Sequence, residues 1–150
     1  MPELGIRALT FDVFGTVVDW RNSIAREISI WGPKKGLDVD GFAFADAWRG
    51  LYQPAMEKVR QEQMGWVNLD VLHRMNLDLL TDEFGLNVLD ETDFDHLNRV
   101  WHRLDPWPDA VAGMERLKQQ FTLASLSNGN VALIVNMAKR GRIPWDMVLG

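Results

Sequence analysis

Asp12, Thr16, Ser127 and Asn128 are the residues whose types and spacing point to chemistry. Asp12 ends the apolar run Ala8 to Phe11 in "ALTFDVFGTVVDW", and Gly15 and Thr16 follow it closely. Ser127 and Asn128 end a second run, "FTLASLSNGN", and Gly129 comes next. If both runs are strands of one parallel sheet, a carboxylate and a hydroxyl–amide pair converge on one crevice. Glycine at 15 and 129 lets backbone N–H groups approach an anion closely. The expected layout is a carboxylate facing a small anion cradle, made by the N–H groups of residues 13–16 with Ser127 and Asn128. It suits nucleophilic displacement, in which the carboxylate forms a covalent ester that water later splits. Two places after the acid stands Phe14, not a second carboxylate.

Strands alternating with helices must position these groups. Residues 6–12 read as a short buried strand, and 22–33 as helical up to the breaker string "GPKKG" at 32–36. From Asp40 as N-cap a longer helix carries Phe42, Ala45, Arg49, Tyr52 and Met56 at steps of three and four. That spacing sets the Arg49 guanidinium on the buried face. A helix over 67–84 carries Leu69, Leu72, Leu79 and Leu80 and stops at Gly85. Another, 92–104, starts at Thr92 as N-cap and turns Phe94, Leu97, Val100 and Trp101 inward. "DPWPD" at 105–109 breaks the chain, and Pro108 sits in the first turn of a helix over 108–120. A strand at 121–126 and a helix at 130–140 follow, and "WDMVLG" begins a third strand.

Strands separated by helices imply parallel pairing with right-handed crossovers. The expected fold class is α/β: a Rossmann-like parallel sheet core, residues 1–16 and 105–150, with an inserted helical cap, 17–104. The cap belongs over the carboxyl edge, where open α/β sheets bind ligands.

Composition narrows the partners. Hydrophobic residues at 47% support a globular core, and the net charge of −5 argues against nucleic acid or anionic membrane as the main partner. Without cysteine, disulfides and thiolate metal sites are excluded, which suits a cytoplasmic protein. "MPELGIRALTF" has no signal-peptide pattern, and no apolar stretch is long enough for a membrane span. His73, His96 and His102 lack metal-ligand spacing and read as structural or solvated. The seven tryptophans read as packing, with Trp20 and Trp48 placed by sequence near the proposed site residues as pocket-lining candidates.

"DVFGTV" (12–17) and "LSNGN" (126–130) resemble the first two motifs of the haloacid dehalogenase superfamily, and the resemblance covers nearly the whole chain. It implies that fold, with Asp12 as nucleophile and Thr16 beside it, either in the catalytic set or as a cap of the next segment. Most members of the superfamily are phosphatases whose second Asp acts as general acid and helps hold magnesium. An apolar residue in that place, here Phe14, is similar to the 2-haloacid dehalogenase branch. The resemblance therefore implies hydrolysis of short 2-haloalkanoic acids to 2-hydroxy acids through an aspartyl ester, with no metal or organic cofactor. Arg49, in "AWRGLY", corresponds to the cap arginine that receives the halide, and Asn128 would give the halide a second hydrogen bond. Ser127 and the backbone N–H groups of Val13, Phe14 and Asn128 would hold the substrate carboxylate. The family also uses a lysine after its third strand, and Lys139 precedes that strand and does not match. The expectation is a chain truncated at the third strand. A divergent phosphatase and a catalytically silent binding module of the same fold stay open beside this reading, and a homodimer is compatible with it.

Overall fold

The computed structural model describes residues 5–150. Along the chain run β1 (Ala8–Phe11), β2 (Val18–Asp19), α1 (Trp20–Trp31), α2 (Gly41–Gly50), α3 (Tyr52–Arg60), α4 (Leu69–Leu79), α5 (Glu91–Asn98), β3 (Asp105–Pro106), α6 (Ala110–Lys118), β4 (Thr122–Leu126), α7 (Val131–Gly141) and β5 (Met147–Leu149). They form two compact units: the residues up to Trp20 with His102–Gly150, and Arg21–Trp101. Residues 17–20 and 102–104, assigned to the helical block by sequence, thus group with the sheet. The cause is β2, whose Val18 and Asp19 pair antiparallel with Pro106 and Asp105 of β3.

The first unit is α/β, with a parallel sheet in the order β1-β4-β5. Phe11 is level with Ser125 across β1 and β4, and Ser125 with Val148 across β4 and β5. The buried strand is the central one, through Leu123, Ala124 and Ser125, whereas β1 alternates exposed and half-buried residues. The expectation of a buried strand at 6–12 is corrected accordingly, because β1 has a partner on one side only among the described residues. Ser125 is fully buried and satisfied: its hydroxyl donates to Leu149 O and accepts from Leu149 N, both at 3.0 Å. Asp146 accepts from Leu123 N at 2.9 Å and pairs with Lys118 at 2.8 Å, tying the end of α6 to the sheet. The Lys118 ammonium, with help from that backbone donor, holds the Asp146 carboxyl below its ordinary range.

The second unit is helical, packed on Ile24, Ile28, Phe44, Trp48, Leu97 and Trp101. Asp40 caps α2 as expected, accepting from Phe42 N and Ala43 N. The inward face differs from the expected stripe: Phe44, Ala45, Trp48 and Tyr52 are buried, while Phe42 is exposed beneath the Arg21 guanidinium. The helix also breaks at Leu51 before α3 begins. α4 ends at Leu79, short of residue 84, and Leu79 is exposed where an inward position was expected. The chain beyond it tightens into three-residue turns, Leu80 N to Leu77 O and Thr81 N to Asp78 O, before Gly85 closes it at a φ of +64°. α5 is capped by Asp90, not Thr92, through a reciprocal box with Asp93. Pro108 precedes α6, whose N-cap is Asp109.

Arg74 joins α4 to α5: its guanidinium reaches Glu91 at 2.6 Å and Asp78 at 2.8 Å and covers the Phe94 ring. These acids, Glu91 first, raise its affinity for the proton further. The three histidines have structural partners. His73 is buried and stacked on Trp101 at 4.1 Å, His96 pairs with Glu27 at 2.7 Å, and His102 Nδ1 meets Asn136 Nδ2 at 2.9 Å. No helix of the described residues is long and apolar enough to cross a membrane.

Candidate active site

Asp12 leaves β1 one residue beyond the Phe11–Ser125 pair, and Ser127 leaves β4 two residues beyond it. Parallel register therefore delivers both to the same edge of the sheet, as their positions in sequence imply. Asp12 is exposed, and the Thr16 hydroxyl donates to its Oδ2 at 2.9 Å. That bond limits rotation of the carboxylate.

The loop between Asp12 and β2 is held from within. Val13, fully buried, accepts at its carbonyl from Val17 N and Val18 N at 3.0 and 3.2 Å. Gly15 takes a φ of +91°, which a side chain would resist, and donates its N–H to Val18 O at 2.9 Å. The expected cradle of N–H groups from residues 13–16 is corrected at Gly15 alone. The Gly15 N–H is spent inside the loop and does not face an anion.

Phe14 connects the two strand ends. A Cβ built on Gly129 would lie 3.2 Å from the Phe14 ring and 2.7 Å from Ile134 Cδ1, so ring, loop and α7 pack closely around the glycine. Gly129 N also donates to Ser127 Oγ at 3.4 Å, across a tight turn. Ser127 is half-buried and Asn128 exposed. Thr16 also borders a cleft of about 230 Å³ between β1 and α6, walled by Phe11, Val17, Met114 and Leu117.

Arg49 stands on α2 in the helical unit. It is half-buried, not on the buried face, and its guanidinium lies 4.2 Å from the Tyr52 ring centroid. Trp48 is corrected from a pocket candidate to core: it is 1% exposed, with its indole N–H donating to His73 O at 3.0 Å. Trp20 does neighbour the loop, its indole nitrogen 3.6 Å from a Cβ built on Gly15. Sequence reasoning missed Trp107, which donates its indole N–H to Gly15 O at 3.1 Å. Nothing local in "DPWPD" signals that role. No group of three or more His, Asp or Glu among the described residues is arranged to hold a metal ion.

A parallel sheet with a carboxylate, a serine and an asparagine at one strand edge defines a class: α/β proteins whose ligands meet the carboxyl ends of the strands. No family model matches the chain. It is 30% identical over 142 residues to (S)-2-haloacid dehalogenase 1 of Pseudomonas sp. (strain CBS-3), covering 92% of this chain and 58% of that protein. A solved L-2-haloacid dehalogenase is 46% identical with a TM-score of 0.91, over 96% of this chain and 61% of that one. A defluorinating L-2-haloacid dehalogenase is 45% identical with a TM-score of 0.92, over 97% and 60%. The L-2-haloacid dehalogenase of Xanthobacter autotrophicus, 21% identical with a TM-score of 0.78, over 97% and 56%, shares the fold. The chain has the haloacid dehalogenase fold, and the relatives it matches in sequence are 2-haloacid dehalogenases. It spans about three fifths of the length of these relatives.

Proposed function

We propose that this chain carries the nucleophile-bearing part of a hydrolase that removes halide from short 2-haloalkanoic acids. The observation that carries the reading is the Asp12–Thr16 pair at the end of β1, beside a phenyl ring where paired-acid chemistry would need a carboxylate. The kinship with L-2-haloacid dehalogenases supports the same substrate class. Asp12 attacks the halogen-bearing carbon from the side opposite the halogen. The carbon–oxygen bond forms as the carbon–halogen bond breaks, and halide leaves with the bonding pair. Water then attacks the ester carbonyl at Asp12, returning the carboxylate and releasing a 2-hydroxy acid inverted at a chiral carbon. Ser127, Asn128 and the backbone N–H groups of Val13 and Phe14 hold the substrate carboxylate. The helical unit is the cap, and its Arg49 receives the halide with help from Asn128. The reading is tested by halide release from 2-chloropropionate by the full-length protein, and absence of turnover on any short 2-haloacid would overturn it.

Arg49 is a strong lever in this scheme because the charge it faces appears only as the carbon–halogen bond breaks. Arg49→Lys and Arg49→Ala are expected to lose about 10²–10³ in kcat, roughly 3–4 kcal/mol, the usual worth of one preorganised charge contact. The loss falls on kcat more than KM. Lysine rescues poorly because an ammonium lacks the planar fork that here lies on Tyr52. Near wild-type kcat in both variants removes Arg49 from the halide site.

Metal is the second lever. A phenyl ring supplies no oxygen ligand, so dehalogenation is expected to proceed unchanged in EDTA. Activity lost on chelation and restored by magnesium favours a phosphatase-like site instead.

A further inference from the structure

The peptide that joins Gly15 to Thr16 follows the one glycine between Asp12 and β2. At a φ of +91° Gly15 occupies a region that glycine enters freely, so its own backbone does little to stop that peptide from rotating. Three contacts from one short segment restrain it. Pro106 pairs with Val18, Trp107 donates its backbone N–H to Val17 O at 3.0 Å, and the Trp107 indole N–H donates to Gly15 O at 3.1 Å. Only the third acts on the 15–16 peptide directly. Because a trans peptide is planar, holding its carbonyl also fixes the N–H and Cα of Thr16. Thr16 in turn sets its hydroxyl 2.9 Å from Asp12 Oδ2. Trp107 is 36% exposed, in contrast to the core tryptophans Trp48 and Trp101 at 1% and 2%. What it adds to this loop is a directed donor more than buried area.

We propose that Trp107 is a positioning residue for the nucleophile, its indole N–H acting through Gly15 and Thr16 to hold the Asp12 carboxylate in its attacking orientation. The inference rests on the nucleophilic role proposed for Asp12. Trp107→Phe keeps an aromatic ring and deletes the donor. In the full-length protein it is expected to lower kcat on 2-chloropropionate roughly tenfold, about the worth of one hydrogen bond, with KM unchanged. Benzothienylalanine at position 107, with the shape of tryptophan but no N–H, gives the same loss and guards against a folding artefact. Because the effect passes through the Thr16 hydroxyl, adding Trp107→Phe to Thr16→Val changes kcat by less than about twofold. Equal losses in both backgrounds, or an unaltered kcat in Trp107→Phe, overturn the proposal. A readout without turnover separates it from the functional reading. In ¹H–¹⁵N spectra the Thr16 amide is expected to shift in Trp107→Phe, while amides of β4 stay in place. If the wild-type protein dehalogenates nothing, a shifted Thr16 amide still supports the clamp and an unshifted one overturns it.

Discussion

Asp12→Asn is expected to abolish turnover, a loss on the order of 10⁴-fold or more, as for other residues whose own atom forms the covalent bond. The amide is neutral, and its oxygen carries too little electron density to displace a halide. Its geometry is otherwise close to that of the acid, so Thr16 still has an oxygen to donate to and the exposed position asks nothing of the core. Circular dichroism and thermal melting should therefore match wild type. The complementary measurement is mass spectrometry of wild-type enzyme quenched during turnover, in which substrate mass appears on a peptide containing Asp12. An Asp12→Asn enzyme that is active and shown not to have deamidated would sink the nucleophilic mechanism.

Trp48→Ala is expected to destabilise the helical unit by about 3–5 kcal/mol, the range for deleting a large aromatic from a packed interior. Trp48 meets Phe44 at 5.4 Å and Trp101 at 5.5 Å, both edge-on, and its indole N–H satisfies His73 O. Alanine leaves a cavity among these rings and removes the second hydrogen bond to a carbonyl of α4. Against a typical stability of about 5–15 kcal/mol the loss is a large fraction of the whole. Trp48→Phe keeps most of the packing and isolates the hydrogen bond, at about 0.5–1.5 kcal/mol, because His73 O keeps its bond within α4. Urea unfolding followed at several wavelengths measures both. A loss under about 1 kcal/mol for Trp48→Ala would mean that this aromatic cluster does not organise the unit.

Much of the architecture was legible because it depends on local pattern. Short apolar runs bounded by glycine and separated by helices imply a parallel sheet, and β1, β4 and β5 pair in that way. The same reading brings Asp12 and Ser127 to one edge, since parallel strands end together. Asp40 as N-cap was legible for a similar reason, as capping needs only the residue itself and the next two or three N–H groups. Other features depend on partners distant in sequence. On α2 two overlapping stripes satisfy the three-and-four spacing, one through Phe42 and Arg49 and one through Phe44 and Trp48. Only the rings waiting at Phe84, His73 and Trp101 decide that the second is buried. Strands of two residues have no periodicity to read, so the pairing of Val18–Asp19 with Asp105–Pro106 left no trace in the sequence. That pairing brings Trp107 to the Gly15 carbonyl. The sequence by itself determined which residues stand at the strand ends, because strand and turn propensities act within a few residues. The tertiary structure decided how the loop after Asp12 is held, because the donor that takes the Gly15 carbonyl lies 92 residues away.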